Sequence, residues 1–398
     1  MTFSALRLLP RPAWALFIGT FINRFGSFVV PFLTLYLTRR GYSAAQAGMV
    51  LGVYGLGSLA AAGLGGYLAD RFGRRACIAL SMFSSAAVML VILSANSLLL
   101  LALLTGLAGL ATELYRPAAG ALIADLFPPR QRLTSFALYR LVVNLGVAIG
   151  VATGGFLADR SFDLLFLGDA ATSLAYGVVA LVALPAGVPS RPAAATAGDT
   201  VGDAGDTRSA KGLFSALHAD RPFLIFLIAS LMGTFIYLQS FSTLSLQVSA
   251  LGLPSAVYGG LLTLNGLLVF FLELPLTTVV RRFPPTVVIA AGQLLIGVGF
   301  GLVILAHTPL FLAVTVLFWT FGEILKSAMS VTYVADRAPM HLRGQYQGVW
   351  GLHKGLGLII APVVGTRLFS WSSPGLWLIC GVLGALAAGL ILFSDRTQ

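Results

Sequence analysis

Charge is what this sequence has least of. Only 10% of its 398 residues are Asp, Glu, Lys or Arg, and just 14 are acidic. So small a share excludes an ordinary water-soluble domain, in which about 25% of residues are charged. Cysteine is nearly missing as well. Cys77 and Cys380 stand in separate apolar runs, which excludes a disulfide framework and a thiolate metal centre and leaves both as expected packing residues. The 4 histidines are scattered, and there is no phosphate-cradling glycine loop and no Ser/His/Asp set in a polar domain. No enzymatic chemistry, cofactor or metal site is therefore expected. Without an ATP-binding segment, any uphill work would have to draw on an ion gradient.

What fills the chain is hydrophobic sequence, 58% of its residues. The apolar runs are long enough to cross a hydrocarbon core of ~30 Å, which takes about 20 helical residues. The alternation of a membrane β-barrel is missing, so the runs are read as helices that satisfy their own backbone in lipid. Spans are predicted near 13–38, 45–69, 76–94, 98–126, 133–158, 162–185, 222–249, 255–280, 286–306, 309–335, 343–368 and 373–393. The first has Asn23 and Arg24 at its centre and no small-residue cleavage site after it, so it is read as a retained span, not a signal peptide.

The net charge of +11 raises nucleic acid as a partner, but the basic residues occur in ones to threes between apolar runs, which fits topology better. With the N-terminus inside, inner loops and tails carry Arg7, Arg11, Arg71, Arg74, Arg75, Arg130, Arg132, Arg191, Arg208, Lys211, Arg221, Arg281, Arg282, Arg337, Arg343 and Arg396. Outer loops keep only Arg39, Arg40, Arg160 and Arg367. This bias puts both termini in the cytoplasm. Residues 186–221 are rich in Ala, Gly, Pro, Asp and Thr and are read as a cytoplasmic linker with an amphipathic turn near Leu213 to Leu217. The expected domains are therefore a six-helix bundle over 1–185, the linker over 186–221, and a second bundle over 222–398.

The two bundles repeat one another. A constant shift of 211 places Gly41 on Gly252, Gly48 on Gly259, Gly55 on Gly266, Asp125 on Asp336, Arg132 on Arg343, Gly146 on Gly357 and Gly154 on Gly365. A duplicated six-helix unit is the arrangement of transporters that rock two halves about a site at mid-membrane.

Between the second and third spans stands G-x-L-A-D-R-x-G-R-R: Gly66, Leu68, Ala69, Asp70, Arg71, Gly73, Arg74 and Arg75. This loop resembles the signature loop of the major facilitator superfamily, and the twelve spans, central linker and half repeat extend the resemblance to the whole chain. The resemblance implies an all-α membrane fold of two pseudo-symmetric six-helix bundles. It also implies a cytoplasmic latch in which Asp70, Arg71 and Arg74 pair with Asp125, at the inner end of the fourth span, and with the neighbouring half. The equivalent loop of the second half has Arg281 where Asp70 would fall, so that latch is degenerate. Arg116 to Gly120 is similar to the family's buried Arg-x-x-x-Gly, linked there to proton coupling. Asn144 to Gly155 is similar to the glycine-rich motif of its drug/proton antiporter branch, with Val151 in place of the expected Pro; close helix packing alone would also account for those glycines.

Nine charges fall at membrane depth: Arg24, Arg116, Arg140, Lys326 and Lys354 against Glu113, Asp169, Glu273 and Glu323. Facing lipid they would together cost on the order of 25 kcal/mol, so most must meet water or one another. Glu113 with Arg116 and Glu323 with Lys326 are each three apart and share a helical face. These four residues are the expected proton-coupling set; mutual neutralisation within each pair is the simpler alternative. Asn23, Arg24, Phe28, Tyr237, Gln239, Trp319 and Arg140 are the expected substrate contacts. Asp169 is expected to make a structural hydrogen bond to a neighbouring helix, and Glu273 to cap backbone freed by Pro275.

The function expected from this sequence is a proton-coupled transporter working by alternating access, exporting amphipathic small molecules or drugs as a monomer in the cytoplasmic membrane of a bacterium. Its partners would be substrate, protons and lipid, with no nucleic acid. Two alternatives stand beside it. The surplus of buried cations suits an anionic nutrient or metabolite, and a non-transporting receptor or scaffold would need neither a latch nor paired charges.

Overall fold

The computed structural model describes residues 10–186, 220–339 and 342–396; the side chains of residues 129, 133, 343, 344, 395 and 396 are also outside the description. Arg7, most of the 186–221 segment with its expected amphipathic turn, and the Arg343 side chain therefore lie outside the described residues. Within them, twelve stretches are helical, long and apolar enough to cross a membrane.

The helices are α1 (Arg11–Phe25), α2 (Val29–Arg39), α3 (Ala44–Phe72), α4 (Arg74–Leu93), α5 (Leu98–Glu113), α6 (Tyr115–Leu126), α7 (Pro129–Arg160) and α8 (Asp163–Ala183). There follow α9 (Arg221–Leu238), α10 (Thr243–Ala250), α11 (Ser255–Val280), α12 (Pro285–Gly301), α13 (Pro309–Arg337), α14 (Arg343–Trp371) and α15 (Ser373–Arg396).

Three spans expected to be continuous are interrupted. The first breaks between α1 and α2 at Gly26 to Phe28. Pro31, just beyond, has no N–H for the Ser27 carbonyl, and its ring crowds that carbonyl. The fourth is interrupted at Leu114, between α5 and α6, where Pro117 removes the bond to the Glu113 carbonyl. The seventh is wound into a tighter turn over Gln239–Phe241 before α10. No proline explains that one. Instead the Gln239 amide donates to the carbonyls of Phe235 at 3.0 Å and Ala361 at 3.3 Å and accepts from Thr243 Oγ1 at 2.9 Å. A side chain thus supplies partners that a regular helix would have found in its own backbone. In contrast, α11 runs through Pro275 without interruption.

The 211-residue repeat has a backbone counterpart. Gly41 and Gly252 both turn the chain with positive φ, 90° and 71°, a conformation that L side chains rarely adopt. Gly73, in the loop after α3, has φ 86° and ψ 154°, so the signature loop needs glycine there for a conformational reason.

By contact the chain divides into two compact units, Met1–Ala193 with Val248–Phe270, and Ala194–Gln247 with Phe271–Gln398. The first half of α11 thus packs with the first unit. Its attachment is specific: Asp159, at the end of α7, accepts from the backbone N–H of Ser255 at 2.7 Å and of Ala256 at 2.9 Å. Thr263 donates to the Ala148 carbonyl at 2.9 Å, and Tyr258 to the Pro31 carbonyl at 3.0 Å. Glycines permit this approach. A Cβ on Gly155 would come within 2.9 Å of the Ala256 backbone, and one on Gly150 within 2.2 Å of the Phe25 carbonyl. The glycine-rich stretch of α7 therefore packs against α1 and α11 alike.

Candidate transport site

In the first unit the charged residues meet beside the two interruptions. Glu113, the last residue of α5, lies between two guanidinium groups. Arg116 Nε is 2.6 Å from one carboxylate oxygen and Arg24 Nη2 is 3.7 Å from the other. Arg24, on α1 just before the first break, also donates through Nε to the Tyr115 hydroxyl at 2.9 Å. Its Nη2 has no hydrogen-bond partner among the described residues. The two pairs differ in setting: the side chain of Arg24 is 9% exposed and that of Arg116 is 56% exposed. The sequence places Glu113 and Arg116 on one face. It is the fold that brings in Arg24, from 89 residues away, and gives Glu113 a second, buried cation.

In the second unit Glu323 and Lys326 lie on α13, with the Tyr237 hydroxyl of α9 hydrogen-bonded to Glu323. Glu323 and Lys354 are the charges that act on Lys326. Lys354 itself is exposed and lies 5.8 Å from the centre of the Trp350 ring. His353 is buried, with Nδ1 against the Trp350 carbonyl.

Of the expected substrate contacts, five are interior: Asn23, Arg24, Phe28, Gln239 and Trp319. Asn23 donates to Ser173 at 3.4 Å. Phe28 meets Phe25 edge-on and packs over Gly154 and Gly168. Gln239 serves the backbone of its own break, and Trp319 stacks on Phe300 with Tyr237 edge-on to it. Tyr237 is half-buried and Arg140 exposed. The expected contacts are thus largely engaged in packing here.

The latch is only partly assembled. Arg74 Nε meets Asp125 Oδ2 at 2.8 Å. Arg71 turns instead to the Tyr67 hydroxyl at 2.7 Å, and Asp70 is exposed with neither an ion pair nor a hydrogen bond among the described residues. Of the expected latch residues, Arg74 is the one that engages Asp125.

One polar cluster was not anticipated. Asp220 caps α9 by accepting from Phe223 N–H at 3.1 Å and takes Arg337 at 2.6 Å and the Tyr346 hydroxyl at 3.4 Å. The sequence signal was Asp220-Arg221-Pro222, an N-cap residue followed by proline in the first turn.

Paired helical repeats, interrupted spans and ion pairs at those interruptions define a secondary-transporter architecture. The chain belongs to the Major Facilitator Superfamily, whose model matches residues 16–362 and 247–398. It is 29% identical over 368 residues to a Na(+), Li(+), K(+)/H(+) antiporter of Planococcus maritimus, covering 86% of each chain. It is 28% identical over 394 residues to the multidrug resistance protein MdtH of Aeromonas hydrophila, covering 95% of this chain and 94% of that one. Among solved structures, a peptide transporter POT in complex with sulfate superposes with a TM-score of 0.76 at 18% identity, covering 97% of this chain and 94% of that one. The protein is a multi-pass membrane transporter of this superfamily.

Proposed function

We infer that the protein exchanges protons for amphipathic small molecules by alternating access, exporting them across a bacterial cytoplasmic membrane with both termini on the cytoplasmic side. The observation that carries this reading is the position of the carboxylates. Glu113 ends a helix at the interruption in the fourth span, and Glu323 faces Tyr237 close to the interruption in the seventh. Interrupted spans give carboxylates polar surroundings at membrane depth, where charge is otherwise costly. Glu113, held between the guanidinium groups of Arg24 and Arg116, is the anchor of this scheme. Glu323, with a hydroxyl as its neighbour and Lys326 one turn on, is the proton carrier of this scheme, and Lys326 tunes it.

Alternating access requires contacts that are made in one state and broken in another. Asp159 bound to the backbone of Ser255 and Ala256 is a contact of the kind that such a cycle would make and break. The antiporter and multidrug resistance names among the relatives support both parts of the reading. In proteoliposomes loaded with ethidium, a pH gradient should drive ethidium movement through the wild-type protein, and Glu323→Gln should abolish it. Undiminished gradient-driven movement in that variant would remove Glu323 from the mechanism.

A second reading has its own observation. The buried Arg24 Nη2 has no hydrogen-bond partner among the described residues, with Glu113 at 3.7 Å as its ion-pair neighbour, and a guanidinium donor so placed suits a carboxylate or phosphate. If the substrate is an organic anion, Arg24→Lys should abolish anion flux; if it is an amphipathic cation, the same change should leave ethidium transport largely intact.

A further inference from the structure

Asp169 is 2% exposed and stands apart from the ion pairs described above. No cation lies within ion-pair distance of it among the described residues. It sits on α8, on a stripe with Thr172, Ser173 and Tyr176 that faces the interruption of the first span. Ser173 Oγ donates to Asp169 Oδ1 at 3.4 Å, and Asn23, one residue before Arg24, donates to Ser173 at 3.4 Å. The Val29 N–H, which opens α2, also points at the Asp169 carboxylate. Thr172 fills the break itself: a Cβ on Gly26 would fall 1.6 Å from Thr172 Oγ1. Tyr176 reaches Thr20 at 3.4 Å. The seam between α8 and the first span is therefore polar along two helical turns, from Asp169 to the neighbourhood of Tyr115, whose ring meets Tyr176 edge-on.

The break does not by itself require a carboxylate. Under the 211-residue repeat Asp169 falls on Cys380, which is fully buried. The corresponding interruption, in the seventh span, is satisfied by the neutral side chains of Gln239, Ser242 and Thr243. One bundle holds its break with amide and hydroxyl groups, the other with an acid.

We propose that Asp169 is a proton-binding site whose occupancy sets the hinge between α1 and α2. Ionised, the carboxylate accepts from the Val29 N–H and the Ser173 hydroxyl and holds α2 against α8. On taking a proton it becomes a donor at one oxygen and gives up part of that hold, so the far half of the first span is freed to move. The proton reaches it, or leaves, along the Ser173 and Asn23 seam. The charged and titratable groups of the packed helices suit this assignment. On α1 Arg24 is the charge that acts on Asp169. On α2 there are Tyr36, against Phe166, and Arg39 at the helix end. Cys77, Arg74 and Arg75 lie at the opposite end of α4, while α7 brings Asp159 and Arg160 at its last turn and Arg140 in its first half. On α8 itself Asp163 and Tyr176 flank the site.

The coupling reading is needed only for the consequence of this titration, since proton binding is measured without a transported substrate. The test is infrared difference spectroscopy of the full-length protein in lipid, between mildly acidic and mildly alkaline buffer. The wild type should give a carboxylic-acid carbonyl band that Asp169→Asn removes and Glu323→Gln leaves in place. Should Asp169→Asn fold poorly, Asp169→Glu keeps the acid and should keep a shifted band. A wild-type spectrum without such a band, or one that Asp169→Asn leaves unchanged, overturns the proposal. Failure of ethidium transport with the band intact would count against the export reading alone.

Discussion

Arg24 and Arg116 both bind Glu113, yet their surroundings make them unequal. Removing one partner of a buried pair leaves an uncompensated charge and costs about 3 kcal/mol or more. A pair with one largely exposed partner is screened and contributes about 0–1 kcal/mol. Arg24 also holds the Tyr115 hydroxyl at 2.9 Å. Arg24→Ala should therefore lower the melting temperature in detergent well below that of Arg116→Ala, although Arg116 makes the shorter contact with Glu113. Equal losses would mean that burial does not separate the two. Tyr115→Phe should fall between them, since it leaves Arg24 Nε without its acceptor at a cost of about 1–3 kcal/mol.

Among the helices, close approach is set by glycines that a Cβ would displace. On α3, a Cβ at Gly57 would lie 1.9 Å from the Gly106 carbonyl of α5, whereas one at Gly63 would meet nothing within 4 Å. Gly57→Ala should cost about 1–3 kcal/mol by forcing the two helices apart. Gly63→Ala should be neutral or stabilise by up to about 1 kcal/mol through helix propensity. Thermal unfolding of the two variants checks both. Helix placement was readable from apolar length, because a span in lipid can satisfy its backbone in few ways. The interruptions were less readable. Two of them fall beside Pro31 and Pro117, whose missing N–H groups leave carbonyls without their helical partners. Pro275 interrupts nothing, so proline alone does not mark a break, and nothing local marks Gln239. Its role depends on Ala361, 122 residues away. The site divides in the same way. Glu113 and Arg116 share a face by spacing alone, and Arg74 meeting Asp125 was implied by the resemblance of the loop, while Arg24 joining Glu113 and Asp220 meeting Arg337 are tertiary facts, with only a capping signal for Asp220.

For the molecule as a whole, the repeat and the contact units part company at one place. The duplicated pattern runs through the eighth span, yet the first half of that span packs with the first unit, through the Asp159 carboxylate on two backbone amides at the start of α11. Loss of a capping carboxylate of this kind costs about 1 kcal/mol. A contact of that size can hold one state of a transporter without trapping it. Asp159→Ala should therefore shift the population toward a form in which Val151, 2% exposed here, becomes accessible. In a Val151→Cys background it should raise the rate of reaction with a membrane-impermeant maleimide several-fold, and an unchanged rate would show that this contact does not restrain the opening.

Cys77 and Cys380 are both buried and unbonded to one another. Any thiol introduced at the surface of the folded chain consequently reports on itself: the wild-type sequence already offers the silent background against which a single attached fluorophore or spin probe can be followed through a cycle of movement.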